Sequence, residues 1–147
     1  MESDPAWILR LRGHPEVAQA EHDGRLRFIH ADIGRTGDYG MPLDETTQVR
    51  WPDYYQAVWA DPATTAADLV LVDGRFRVAC ALEALARCQP HTVLLFHDFW
   101  NRTPYHPVLA FTDWLGSCDS LALLRRKASI DATHFEAVRH AHRLNPQ

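Results

Sequence analysis

The chain lacks a paired-cysteine motif, a long apolar run and an excess of positive charge, and each lack closes off a class of function. Its three cysteines, Cys80, Cys88 and Cys118, are an odd number without C-x-x-C spacing. That argues against a disulfide framework and for reduced thiols in a cytoplasmic protein. No stretch approaches the roughly 20 apolar residues that span a bilayer. The start, Met-Glu-Ser-Asp-Pro-Ala-Trp, places two acids where a secretory leader is basic and then apolar, so no leader is expected. A formal net charge of −4 implies no general affinity for nucleic acid or for an acidic membrane surface. Internal repeats and low-complexity tracts are also missing. What remains is 147 residues, 46% hydrophobic and 23% charged, enough for one domain (1–147) with its own core.

The best-specified stretch runs from Ala67 to Phe99. Leu69-Val70-Leu71-Val72 is a continuous apolar run ending on Asp73-Gly74, and Leu94-Leu95-Phe96, preceded by Thr92-Val93, is a second, ending on His97-Asp98. Between them Val78, Ala81, Leu82 and Leu85 recur at i, i+3, i+4, i+7, the spacing of one helix face. Two apolar strands joined by an amphipathic helix predict a parallel βαβ unit covered on both faces. Ligands of open parallel sheets bind at the carboxyl ends of the strands, so Asp73 and Asp98 are expected side by side on a functional edge.

Around this unit the reading is coarser. Ser3 or Asp4 caps a first helix with Pro5 at its first position, and residues 16–21 form a second. Arg25 to His30 alternates and reads as a strand ending on Ala31-Asp32. Residues 33–50 are glycine-rich and aperiodic, a long loop of the kind that binds ligands or is disordered. Residues 52–59 read as a short aromatic helix, with Trp51, Tyr54, Tyr55 and Trp59 as core or as walls for a planar substrate. Tyr105 to Leu115 is expected to be a helix, Ser120 to Leu124 a further apolar strand, and a last helix starts at Asp131 or Thr133. The expected fold class is α/β, a mostly parallel sheet flanked by helices.

Several constellations could carry chemistry. Asp73 and Asp98 could share a divalent cation or act as acid and base; the plainer reading makes Asp73 a helix cap. Arg75 and Arg77 could grip an anionic substrate group, or simply pair with the two acids and fix the loop. His97 could be a general base, since imidazole titrates near neutrality, or a strand-end histidine bonded to its neighbours. Tyr105 and His106 follow a loop and could close over a substrate. His140 and His142 are two apart, do not share a helix face and are not a metal pair. The loop Gly34 to Gly40 fits neither G-x-G-x-x-G nor the P-loop. No metal site is predicted.

The segments VDGRFRVACALEAL and LLFHDFWNRTPYHPVL, with ESDPAW, HADIGRTGDYG and WPDYYQAVW, resemble uncharacterised bacterial proteins of the class I S-adenosylmethionine-dependent methyltransferase-like superfamily, which has a Rossmann-type fold. The resemblance implies S-adenosylmethionine as cofactor. It also implies that Glu2 occupies the place of the acid holding the ribose hydroxyls, Asp32 that of the acid reaching the adenine, and Asp73 that of the acid near methyl transfer. The family's first strand and Gly-rich turn should precede Glu2, where only Met1 stands. The expectation is therefore a methyltransferase-like domain incomplete at its N-terminus, through an upstream start, a degenerate gene or rearranged pairing with a second subunit.

Three functions follow as expectations. The first is methyl transfer to a small molecule, with Asp73, His97 and Asp98 catalytic, Glu2 and Asp32 holding cofactor, and Arg75, Arg77, Tyr105 and His106 binding substrate. The second is a non-catalytic binding module derived from such a fold. The third is a Mg-dependent enzyme using Asp73 and Asp98. The expected partners are a small-molecule substrate and, at exposed strand edges, a second copy of the chain, with neither nucleic acid nor membrane.

Overall fold

Asp4, Pro5 and Gly13 delimit the first element of the chain for reasons local to the sequence. In the computed structural model, which describes residues 1–147, the Asp4 side chain accepts from the Ala6 amide at 2.8 Å. Helix α1 (Pro5–Arg12) follows, with Pro5 in the first turn where no N–H is needed. Helix α2 (Pro15–His22) starts on a second proline. The two are clamped by a forked pair in which Arg12 Nε and Nη2 donate to the Glu21 carboxylate at 2.7 and 2.6 Å.

These helices belong to a first unit, Met1–Val58, which contains little regular structure. The strand expected over Arg25–His30 reduces to one parallel bridge, Glu2 to His30. Its bonds run from Glu2 N–H to Ile29 C=O and from Ala31 N–H to Glu2 C=O, both 2.9 Å. Alternation is satisfied there, but a strand exists only by pairing, and the chain lays just Glu2 alongside. The loop that follows is folded on itself. Thr47 Oγ1 donates to Ile33 C=O at 2.6 Å, and Gly34, at φ +93°, lies so close that a Cβ would stand 2.2 Å from that hydroxyl oxygen. The aromatic segment is a short helix, α3 (Asp53–Gln56), and Trp51, Tyr54 and Tyr55 are buried.

The second unit, Trp59–Gln147, holds the sheet. Its strands are β1 (Leu69–Val72), β2 (Val93–Phe96), β3 (Thr112–Cys118) and β4 (Leu121–Arg126), in the order β1-β2-β4-β3. Only β1 and β2 pair in parallel; β4 runs against both its neighbours. The expected mostly parallel sheet is thus corrected to a mixed one. The cause is a hairpin that stands where a helix is expected over Tyr105 to Leu115. Residues 103–110 form a 3-10 segment interrupted by Pro107, after which Thr112–Cys118 pairs with β4 across the two-residue turn Asp119-Ser120.

Helix α4 (Arg77–Arg87) joins β1 to β2, and α5 (Ala132–His142) closes the chain, started by the Asp131 side chain accepting from the His134 amide at 3.1 Å. The core is the expected face of α4, Val78, Ala81, Leu82 and Leu85, packed with Leu94, Phe96, Phe99, Val108, Phe111 and Leu124. Glu83, itself buried, receives Arg87 and Arg139 at 2.6 Å each and so ties α4 to α5. The basic run 125–127 serves the same framework: Arg126 donates to Leu85 C=O, and Lys127 to the carbonyls of Leu109 and Ala110. No helix is long and apolar enough to cross a membrane.

Candidate functional site

Register brings the strand-end residues of the second unit together. Val72 lies opposite Phe96, and the ladder runs one step further, with the His97 N–H donating to Val72 C=O at 3.0 Å. Asp73 and His97 are therefore neighbours across adjacent strands, and His97 Nδ1 lies 2.8 Å from Asp73 Oδ1. With the carboxylate ionised, that bond requires the proton on Nδ1, which leaves Nε2 as the acceptor. Both side chains are about half exposed, 47% and 50%.

Asp98 takes the left-handed conformation, φ +55°, which aspartate tolerates better than most residues. Its carboxylate lies 3.2 Å from Arg102 and 3.5 Å from Arg77, with the Ser120 hydroxyl donating to it at 3.4 Å. His97 Nδ1 is 3.7 Å from Asp98 Oδ1, the oxygen that accepts from Ser120; the two arginines lie on Oδ2. Asp73 and Asp98 thus stand on one edge as expected. Asp73 is not the cap of α4: Phe76 occupies that place, with φ +52° and no side-chain cap bond.

Arg77 is the brace of this edge. Its side chain is 5% exposed. Nε donates to Gly74 C=O at 2.9 Å and Nη1 to His97 C=O at 2.8 Å, and the guanidinium lies 3.5 Å from each carboxylate. Arg75 beside it is half-buried. Tyr105 is buried, with its ring beneath Arg77 at 5.6 Å and against Phe96. Its hydroxyl accepts from Arg102 at 3.4 Å. His106 Nε2 bonds Phe99 C=O at 3.1 Å, and its ring packs on Phe99 and Trp100. The two residues expected to follow a flexible loop are thus anchored in a packed 3-10 segment.

Two members of the edge were not anticipated. Arg102 carries a signal, a cation four residues after Asp98, which is readable only if the intervening loop turns back. Ser120 carries none, because its position depends on the β3–β4 hairpin. Burial pushes the thiol of Cys80, on α4, up to about 12, which disfavours the thiolate. No group of three or more His, Cys, Asp or Glu is arranged to hold a metal ion; guanidinium groups supply the positive charge between the two carboxylates.

In the first unit, Glu2 Oε1 accepts from the Ser3 and Asp4 amides at 2.7 and 2.9 Å. Asp32 accepts from the Gly34 amide at 3.0 Å and pairs with Arg50 through its other oxygen.

No family model matches the chain, and no curated protein does. Among solved structures it is similar to a methyltransferase-like protein from Silicibacter pomeroyi, at 29% identity and a TM-score of 0.77, over 99% of this chain and 75% of that one. The fold described above is methyltransferase-like.

Proposed function

We propose that the chain is a methyltransferase acting on a small molecule, with S-adenosylmethionine as cofactor. The observation that carries this reading is the Asp73–His97 contact at the ends of the parallel pair β1–β2, in a fold similar to that of a methyltransferase-like protein. Open sheets with parallel strands bind ligands at that edge.

The residues present fit the cofactor's nucleoside. Glu2 is fixed by two amides and keeps one oxygen for vicinal hydroxyls. Asp32 must give up Arg50 to reach an adenine amine, and that pair is exposed, so its loss costs little. When bound, the cofactor supplies an electrophilic methyl group. The chain's own residues then have to place the acceptor: His97 and Asp98 face it, Asp73 orients His97, Arg75 and His106 border it, and Arg77 and Tyr105 act by holding the edge rigid. Methyl transfer needs such positioning more than elaborate acid–base machinery. Three free cysteines support a cytoplasmic location.

A specific observation favours a second reading, a non-catalytic binding module: both oxygens of Asp32 are already engaged within the chain. Isothermal calorimetry with S-adenosylmethionine and S-adenosylhomocysteine separates the two. Saturable heat that Glu2→Gln weakens at least tenfold supports the enzyme. No heat at millimolar ligand ends that reading in favour of the module.

A further inference from the structure

We infer that His97 and Asp73 are a proton-accepting pair and that the site's acceptor is a neutral hydroxyl, an alcohol or phenol. The inference deepens the methyltransferase reading and rests on it for the fate of the hydroxyl oxygen.

Three observations carry it. First, Asp73 fixes the tautomer. The 2.8 Å bond to Nδ1 holds the proton there, so the basic atom is Nε2, and the side chain that carries it is about half exposed. Second, the pair is itself held. Arg77, 5% exposed, bonds the His97 carbonyl at 2.8 Å and the Gly74 carbonyl at 2.9 Å, fixing the backbone on both sides of the pair. A histidine meant only to cap a strand end needs no such brace. Third, the charges balance. Asp73 faces Arg77, and Asp98 faces Arg77 and Arg102. Each carboxylate is answered by a guanidinium, so the edge offers no unopposed negative charge to draw in an ammonium.

The acceptor class follows by chemistry. A carboxylate brings no proton, and a base would be idle. An amine arrives at neutral pH as an ammonium, which this edge does not attract. A hydroxyl arrives uncharged, is a weak nucleophile while it keeps its proton, and gains most from a base aligned with it. The step is a proton transfer: the O–H bond breaks, the proton goes to His97 Nε2, and the electron pair stays on oxygen for the bond to carbon. The imidazolium so formed sits against the Asp73 carboxylate, and the proton leaves to water afterwards. Asp73 touches His97 rather than the acceptor and is a positioning residue.

The test uses 4-nitrophenol, whose phenolate absorbs in the visible, added to the full chain without any methyl donor at a pH where the free probe is mostly protonated. The expected result is saturable binding with a phenolate-to-phenol ratio about tenfold above that of the free probe, equivalent to one pK unit. That excess vanishes in His97→Gln and shrinks in Asp73→Asn, with circular dichroism confirming that both variants are folded. Nitrogen-15 spectra should show the Nδ1–H tautomer of His97 in the wild type and a mixture in Asp73→Asn. Absence of saturable binding overturns the inference, as does a bound probe that stays protonated, or a phenolate excess that survives His97→Gln. Calorimetry with S-adenosylhomocysteine on the same samples keeps the two readings apart. Cofactor heat without probe ionisation leaves the methyltransferase and removes the base. Ionisation without cofactor heat does the reverse.

Discussion

The two units of the chain are built on different principles. In Trp59–Gln147 a four-stranded sheet and two eleven-residue helices enclose a continuous apolar core. In Met1–Val58 short helices and turns are held by the Asp4 cap, an Arg12–Glu21 pair and two isolated bridges. The strand-end residues Asp73, His97 and Asp98 belong to the first kind of construction, whereas Glu2 and Asp32 belong to the second. A site on a sheet edge inherits the rigidity of the ladder behind it. One built on turns is only as fixed as its local hydrogen bonds.

The sharpest way to break this contrast is through the core. Phe96, fully buried at the centre of the sheet, should cost about 3–5 kcal/mol as Phe96→Ala, read as a lowered urea midpoint of the sheet unit. Native-state hydrogen exchange should find the amides of β2 and β4, each flanked by two strands, as the slowest. Those of residues 25–50 should be orders of magnitude faster. Equal protection in both units would remove the distinction.

A second test asks whether the site's rigidity is local to Arg77. Arg77→Met leaves two carboxylates facing each other and two carbonyls without their donor. Because Asp73 is half exposed and Asp98 is 21% exposed, the cost should be about 2–3 kcal/mol, below that of breaking a fully enclosed pair. Midpoints should fall together with loss of the His97 Nδ1–H signal. A stability loss without that spectroscopic change would show that Arg77 supports the fold but not the dyad.

Third comes a pair of substitutions inside the first unit. Gly34 and Gly24 both have positive φ, +93° and +70°, but a Cβ on Gly34 meets the Thr47 side chain at 2.2 Å while one on Gly24 meets nothing within 4 Å. Gly34→Ala should cost about 2–3 kcal/mol and Gly24→Ala about 1 kcal/mol. Similar losses would mean that the loop around Thr47 yields freely and that the turn construction is looser than its hydrogen bonds suggest.

The same contrast explains what the sequence made legible. The β1–α4–β2 unit announced itself because burial imposes a period: an apolar run, then Val78, Ala81, Leu82 and Leu85, then another run. Its strand-end acids followed from register alone. The β3 strand was hidden because Val108, Leu109, Phe111 and Leu115 imitate a helix face. Pro107 and the β-forming Thr112 and Trp114 carried the contrary signal, and Asp-Ser is a weak hairpin turn beside Asn-Gly. Ser120 was lost with that hairpin, and Arg102 with the turn of the loop that follows Asp98. Arg25–His30 failed for the opposite reason: its alternation was real, but pairing is a property of the neighbour, which no local pattern encodes.

The smallest effect lies at the end of α5, where the periphery of the sheet unit can be tested for the tight construction seen at its centre. Burial lowers the pKa of His142 below the ordinary 6.5, and its Nδ1 is enclosed without a hydrogen-bond partner, so charging it would leave a cationic N–H without an acceptor. A histidine with a folded-state pKa below its unfolded one is stable in full above about pH 6.5 and loses that stability as the pH falls through the folded value, because the unfolded chain then binds more protons. The urea midpoint of the sheet unit should therefore decline between pH 7.5 and 5.5, and His142→Gln should flatten that decline by a small, measurable amount. An unchanged slope would mean that water reaches Nδ1 freely, and that the close construction of the second unit stops short of its last helical turn.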